Sequence, residues 1–221
     1  MNKNVVITGA NRGIGLALVK SYVAQGYQVY AICRQASDEL NALPVITIND
    51  VDVATDIGLN KMLMGLQEVS IDVLICNAGI LRDESLSHLN ITSIREQFEV
   101  NALAPLRMVT ALQTQINDSG KVAMITSRMG SIADNTSGGR YGYRMSKAAL
   151  NAASMSLSVD LKPRNIAVGI YHPGYVQTGM VNYGGDISAT ESASRIIGLI
   201  NQLDMTETGV FKHSNGQVLP W

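Results

Sequence analysis

Apolar residues along this chain fall into two alternating kinds of run. Short continuous runs occur at Val5-Val6-Ile7-Thr8, Gln28 to Cys33, Val45 to Ile48, Ile71 to Cys76, Lys121 to Thr126 and Ile166 to Tyr171. Their length and β-branched content predict strands, and their lack of polar alternation predicts a sheet covered on both faces. Between them lie longer segments of helical period: Ile14 to Gln25, Asp56 to Glu68, Ser93 to Gln115 with Pro105 as an internal kink, Gly142 to Leu161, and Ser192 to Leu203. Strands separated by helices imply repeated right-handed βαβ units. Near the end, Val210 to Leu219 flank Asn215-Gly216, a two-residue hairpin signal. No linker, repeat or low-complexity tract divides residues 1–221. The expectation is one α/β domain: a doubly wound parallel sheet of about seven strands with helices on both faces.

Composition narrows the function classes. The 221 residues are 46% apolar and only 16% charged, against about 25% charged in an average soluble domain. Disorder is excluded, and extra surface is expected to be hidden in packing or in a contact between copies. Seventeen Lys and Arg against 18 Asp and Glu, with no basic run, make nucleic acid and acidic membranes poor partners. Cys33 and Cys76 stand on strand-like runs without metal-ligand spacing, and are expected to be buried reduced thiols. The start Met1-Asn2-Lys3-Asn4 has no signal-peptide architecture, and no apolar run approaches the ~20 residues of a membrane span. A soluble, cytoplasmic protein is expected.

The first chemistry-bearing motif is Thr8-Gly9-Ala10-Asn11-Arg12-Gly13-Ile14-Gly15, between the first strand and the first helix. Glycines here permit a tight turn and close backbone approach to a pyrophosphate, to which the following helix offers free N–H groups. An acid ending the second strand would bind the 2′-hydroxyl of NAD. The run ends instead in Arg34, and Arg12 sits inside the glycine loop. Two guanidinium groups suit a 2′-phosphate, so the expected cofactor is NADP(H). A solvated, uninvolved Arg34, with NAD as cofactor, is the alternative.

The second motif is Tyr143-Arg144-Met145-Ser146-Lys147, opening a helix. Tyr143 and Lys147 are four apart and share a helical face. A phenol of pKa about 10 is a poor acid–base catalyst near neutrality unless a cation lowers it.

Together these features resemble the short-chain dehydrogenase/reductase family, over essentially the whole chain. Cys76-Asn77-Ala78-Gly79 resembles the family's Asn-Asn-Ala-Gly, with Cys in place of the first Asn. Asp52-Val53 is similar to the adenine-contacting pair. Val100-Asn101 matches the structural and proton-relay asparagine. Pro173-Gly174-Tyr175-Val176-Gln177-Thr178 is similar to the loop that holds the nicotinamide carboxamide. The resemblance implies a Rossmann-type fold, with Tyr143 as general acid, Ser127 as the substrate-orienting hydroxyl, Lys147 on the nicotinamide ribose, and Asn101 holding a relay water. It also implies that Gly9, Asn11, Arg12, Gly13, Ile14, Gly15, Arg34, Asp52, Val53, Asn77, Ala78, Gly79, Pro173, Gly174, Val176 and Thr178 contact the cofactor. Ser127 lies 16 residues before Tyr143, longer than the family's usual interval, and Ser131 is the competing assignment. A loop insertion between Ser131 and Arg140 accounts for the difference and keeps the Ser127-x-x-Gly130 frame.

Finer features resemble the sniffer-like and C-factor-like carbonyl reductase branch: Asn11-Arg12-Gly13, Ser127 to Ser131, Tyr143 to Asn151, and Pro220-Trp221. The implied activity is NADPH-dependent reduction of a small ketone or aldehyde by a homo-oligomer, dimer or tetramer, built on the helices at 93–115 and 142–161. A signalling protein that keeps the nucleotide-binding fold is the reading from a different class; an NAD-dependent alcohol dehydrogenase is the rival among enzymes. His88, His172 and His213 lack ligand spacing, and no metal is expected. Ser188 to Glu191 has capping-box form. Trp221 either packs between subunits or edges the site. The glycine-rich segment Gly179 to Ile187 occupies the position of a substrate lid.

Overall fold

A computed structural model describes residues 3–221. Met1 and Asn2, part of the run read above for a signal peptide, lie outside the described residues. Seven strands form one parallel sheet: β1 (Asn4–Thr8), β2 (Gln28–Ile32), β3 (Ile46–Ile48), β4 (Ile71–Cys76), β5 (Ile116–Ile125), β6 (Ala167–His172) and β7 (Phe211–His213). Their spatial order is β3-β2-β1-β4-β5-β6-β7, every neighbouring pair parallel. The order reverses between β1 and β4, which opens a crevice at the carboxyl ends of those two strands.

The helices are α1 (Gly13–Ala24), α2 (Asp38–Asn41), α3 (Asp56–Gly65), α4 (Ile91–Phe98), α5 (Ala104–Leu112), α6 (Tyr141–Asp160) and α7 (Ala189–Gln202). Continuous apolar strands meet helices on both sides because their side chains alternate in direction. Val5, Ile7, Val73, Ile75, Ala123 and Ile125 enter one core with Leu18 and Tyr22 of α1 and Ile196 and Ile200 of α7. Val6, Leu74, Val122, Met124 and Ile170 enter the other with Met62 of α3, Met108 and Leu112 of α5, and Leu150 and Leu157 of α6.

Differences from the expected elements are local. The single helix expected over 93–115 is α4 and α5 joined by a π turn, Glu99–Leu103. Pro105 has no N–H to give the carbonyl of Asn101, four residues back, and the wide turn falls just where that bond is missing. β5 starts at Ile116, ahead of the expected Lys121, and its pairing with β4 shifts between Ile71 and Val73. The short α2 was not expected; Ser37 caps it by accepting from the Leu40 N–H at 3.2 Å. Ser188 caps α7 through the Glu191 N–H at 3.1 Å, which starts that helix three residues before Ser192. The Asn215-Gly216 turn forms, with Gly216 at φ +94° and the His213 N–H donating to the Gln217 carbonyl at 2.8 Å. Among the described residues, no helix is long and apolar enough to cross a membrane.

Candidate active site

The crevice is floored by the chain as it leaves β1 and β4. Thr8 Oγ1 accepts from both the Asn77 and the Ala78 N–H at 3.1 Å, and the Asn77 amide donates to the Thr8 carbonyl at 2.9 Å. These bonds fix the Asn77-Ala78-Gly79 turn against the glycine loop. Gly9 has φ +65°, and a Cβ there would lie 2.9 Å from Ala78 Cα; only glycine satisfies both the backbone angle and the close approach. Gly15 admits no side chain because a Cβ would meet the Gly9 carbonyl oxygen at 2.1 Å.

Immediately beyond, α1 begins at Gly13 with Arg12 as N-cap, no side-chain cap and no acid in the first turn. The helices α2, α3, α4 and α7 each have a side-chain cap, from Ser37, Thr55, Asn90 and Ser188. The first-turn N–H groups of α1, with the positive end of its dipole, are thus left to an anion. The Asn11 amide donates to the Gln35 carbonyl at 2.9 Å, and Ser37 Oγ donates to the Asn11 carbonyl at 2.8 Å. This stitching sets the loop carrying Arg12 beside the loop carrying Arg34, and both arginines are exposed. The free N–H groups at the start of α1 fit a dinucleotide diphosphate. Asp52 Oδ1 accepts from the Ala54 N–H at 3.0 Å, which holds the Asp52-Val53 turn at the end of the edge strand.

On the far side of the crevice, Pro173 to Thr178 leaves β6. The Pro173 carbonyl accepts from Ser192 Oγ at 2.8 Å and Ser214 Oγ at 3.0 Å, so α7 and the terminal hairpin both anchor this loop. Gly174 has φ +97°, and Val176 bridges Ile187. Thr178 reaches the glycine loop: a Cβ on Gly13 would lie 3.3 Å from its Cγ2.

Ser127, Tyr143 and Lys147 meet where β5 ends against the first turns of α6. Ser127 is 6% exposed and its Oγ accepts from the Met129 N–H at 3.1 Å. Its hydroxyl lies close enough to the Tyr143 phenol to lower that phenol's pKa. Gly130 allows this turn to lie on α6, since a Cβ would meet the Lys147 carbonyl carbon at 2.7 Å. Lys147 Nζ lies 5.9 Å from the Tyr143 ring centroid and donates to the Ile125 carbonyl at 2.9 Å. Ser131 behaves differently: its Oγ accepts from the Asp134 N–H at 3.1 Å and caps a turn.

Burial dominates the electrostatics. Desolvation raises the Tyr143 phenol above its usual value, opposed by the Ser127 hydrogen bond and by the Arg140 guanidinium. Desolvation likewise pushes the Lys147 ammonium down to about 8. At neutral pH the amine is still mostly protonated, but the cation whose charge lowers the phenol's pKa is Arg140, which the sequence did not single out. Cys76 is a buried thiol pushed up to about 12 by the same cause, and Cys33 is also raised and free.

Asn101 is fully buried in the π turn, and its side chain is committed. Its Oδ1 accepts from the Ile80 N–H and its Nδ2 donates to the Ile80 carbonyl, both at 2.8 Å, with a further bond to Ser146 Oγ at 3.0 Å. Gly79 lies between: a Cβ there would sit 3.2 Å from Asn101 Oδ1 and 3.7 Å from Lys147 Nζ.

A cleft of about 640 Å³ lies between the segment after β4 and the loop before α6, lined by Asp83, Glu84, His88, Met129, Ser137 and Arg140 among others. Trp221 stacks on Phe211 with centroids 5.3 Å apart, and its carbonyl accepts from the Ala133 N–H at 3.0 Å. The chain terminus therefore braces the loop that follows Ser127. His172 stacks edge-on with His213 at 4.9 Å, and burial pushes it down to about 3. The sequence reading gave no role of their own to Glu84, Gln97, Arg140 and Ser146. None sits in a spacing that marks chemistry; each becomes visible only when the segment after β4 is laid across α4 and α6.

A family profile described as short chain dehydrogenase matches residues 3–186. The chain is 33% identical over 223 residues to 1-hydroxy-2-glutathionyl-2-methyl-3-butene dehydrogenase of Rhodococcus sp. (strain AD45), covering 98% of this chain and 99% of that one. It is 40% identical over 154 residues to C-signal of Myxococcus xanthus, covering 68% of this chain and 93% of the relative. Among solved structures, NADPH-bound carbonyl reductase from chicken fatty liver superposes with a TM-score of 0.87 at 26% identity, covering 100% of this chain and 99% of that one. The chain belongs to the short-chain dehydrogenase family, on its branch of carbonyl-reductase-like and C-signal-like proteins.

Proposed function

We propose that this protein is an NADPH-dependent reductase of small ketones or aldehydes, the whole chain acting as one nucleotide-binding domain. The observation that carries the reading is the meeting of Tyr143, Ser127 and Lys147 beside a glycine-lined crevice. The bound dinucleotide supplies hydride at the carbonyl carbon. The free N–H groups of α1 would hold its diphosphate, Arg12 and Arg34 its ribose phosphate, and the Pro173–Thr178 loop its amide end.

Tyr143 donates a proton to the carbonyl oxygen. The phenol is protonated through the neutral range, as a proton donor must be; burial makes it a weaker acid, which the Ser127 hydroxyl and the Arg140 guanidinium offset. Once the proton has left, the Arg140 guanidinium stabilises the phenolate, which leaves the one Ser127 proton for the substrate oxygen. Ser127 also hydrogen-bonds the substrate oxygen as negative charge grows there, an arrangement worth roughly 3 kcal/mol at a transition state. Lys147, its pKa lowered to about 8 by burial, returns a proton to the phenol and would hold the nicotinamide ribose. Asn101 would hold the water that relays protons to Lys147, while its side chain, with both polar atoms on Ile80, fixes the Gly79 wall beside Lys147. The test is a carbonyl panel scored by loss of NADPH absorbance. Turnover that persists in Tyr143→Phe overturns the mechanism.

The match to C-signal favours a second reading, in which a signalling protein keeps the fold. It requires NADPH binding by the purified chain with no turnover across that panel. Assembly into a dimer or tetramer through α4, α5 and α6 belongs to the first reading; Leu103 in the π turn between α4 and α5 and Met155 and Val159 on α6 are exposed, and light scattering decides it.

A further inference from the structure

We infer that Glu84 is a positioning residue that holds the first turn of α6, and Tyr143 with it, in place for proton transfer; the inference rests on Tyr143 being the general acid.

Glu84 is 4% exposed and its carboxylate contacts neutral donors rather than a cation. Oε1 accepts from Gln97 Nε2 at 2.6 Å and Ser93 Oγ at 2.9 Å; Oε2 accepts from the Gly142 N–H at 3.3 Å. A buried carboxylate without a cation is costly unless its partners are all donors. Here they are, and one of them is a first-turn amide of α6, where helix dipole and free N–H both favour negative charge. The Glu84 carbonyl also accepts from the Arg140 N–H at 2.7 Å. Arg140 is left-handed, at φ +50°, a conformation that needs outside support in a non-glycine residue. Two bonds to one residue thus bracket Tyr141, and Tyr143 follows directly.

The segment that brings Glu84 there is laced to α4. Ile80 bonds Asn101, the Arg82 N–H donates to Gln97 Oε1 at 3.0 Å, and Glu84 bonds Gln97 and Ser93. Alternate residues of the segment meet every fourth residue of the helix. Two residues of extended chain cover about 6.6 Å and four of helix about 6 Å, so the bonds stay in step. Gly142 completes the junction: a Cβ there would meet Gln97 Nε2 at 2.4 Å and Ile94 Cα at 3.0 Å. The first turn of α6 is therefore set by Glu84 and α4.

An amide at position 84 would set its own NH₂ against a donor, the Gln97 NH₂ or the Gly142 N–H according to its orientation, or force Gln97 to turn its NH₂ toward the Arg82 N–H. Either way one buried donor loses its acceptor. Exchanging the two side chains (Glu84→Gln with Gln97→Glu) restores the pairing between them. The carboxylate, moved to position 97, accepts from the Arg82 N–H and from the amide moved to position 84, whose oxygen still accepts from the Gly142 N–H. The test compares wild type, Glu84→Gln and the exchanged pair for kcat, KM, NADPH affinity and amide hydrogen exchange at residues 141–146. Glu84→Gln is expected to lower kcat about tenfold, within what a small misplacement of a reacting group does. KM and NADPH affinity stay within about twofold, and exchange at Gly142 and Tyr143 speeds up. The exchanged pair is expected to recover both kcat and protection. An unchanged kcat per folded molecule overturns the inference, as does a rise in KM alone, which would make Glu84 part of the substrate wall. Wild type that turns over no carbonyl counts against the reductase reading only. In that case exchange decides: protection at 141–146 unaltered by Glu84→Gln overturns the role of Glu84.

Discussion

Lys147 Nζ sits 5.9 Å from the centre of the Tyr143 ring while donating to the Ile125 carbonyl at the end of the neighbouring strand. The spacing of four along α6 puts amine and phenol on one face, but β5 decides where the amine points. Its depressed pKa follows from that burial, and has a consequence for stability. An unfolded lysine titrates near 10.4, and folded Lys147 near 8. Between those values the unfolded chain binds more protons, so unfolding free energy rises with pH across that window. Below about pH 8 both states are protonated and the full cost of burying the charge, about 3 kcal/mol as an order of magnitude, is present. Lys147→Met is expected to abolish turnover, to be at least as stable as wild type at pH 7, and to lose the rise in stability between pH 8 and 10. Thermal melts of both proteins without cofactor across that range check it; parallel curves would contradict the assignment.

Tyr143→Phe removes the proton donor and leaves the packing of the ring. Carbonyl reduction is expected to fall by about 10²–10⁴-fold, with NADPH affinity within a few-fold of wild type. Steady-state kinetics beside a fluorescence titration of NADPH separate the two effects.

The two serines should part cleanly. Ser127→Ala removes the hydroxyl that meets the phenol and is expected to lower kcat about 10²-fold. Ser131→Ala removes only a turn bond to the Asp134 N–H, and should cost about 1 kcal/mol of stability with near-normal turnover. Parallel activity and denaturation measurements on the pair would reverse the assignment if Ser131→Ala were the inactive one.

Arg34→Ala tests the cofactor preference. Loss of one charge-assisted pair to a phosphate is worth about 1.5–3 kcal/mol, so NADPH should bind roughly tenfold to a hundredfold more weakly. NADH affinity should hardly move. Equal losses for both nucleotides would return Arg34 to the status of a solvated loop residue.

Several features of the site were legible in residue order because they rest on local rules. The βαβ rhythm appears in continuous apolar runs such as Val5 to Thr8 and Ile71 to Cys76, since a strand buried on both faces has no polar side to alternate. Gly9 and Gly13 mark a turn that needs positive φ, and Tyr143 and Lys147 share a face through helical period alone. The uncapped start of α1, where Ser37, Thr55, Asn90 and Ser188 cap other helices, is likewise a local absence readable in order. Pro105 announced an irregular helix, though the wide turn falls before it, where Asn101 lacks its donor.

Tertiary structure alone decided the rest. Whether Ser127 or Ser131 meets the phenol depends on how the turn at Gly130 lies on α6, a contact between elements that spacing does not encode. Asn101 spends both side-chain atoms on Ile80 because the segment after β4 crosses α4, and Glu84 becomes a cap for α6 by the same crossing. Hydrogen bonds within a helix or turn follow from neighbours in the chain, whereas those joining 80–84 to 93–101 and 140–142 exist only once three separate segments pack. Desolvation is a property of that packing too, so the direction in which Tyr143 and Lys147 titrate was settled by the folded chain.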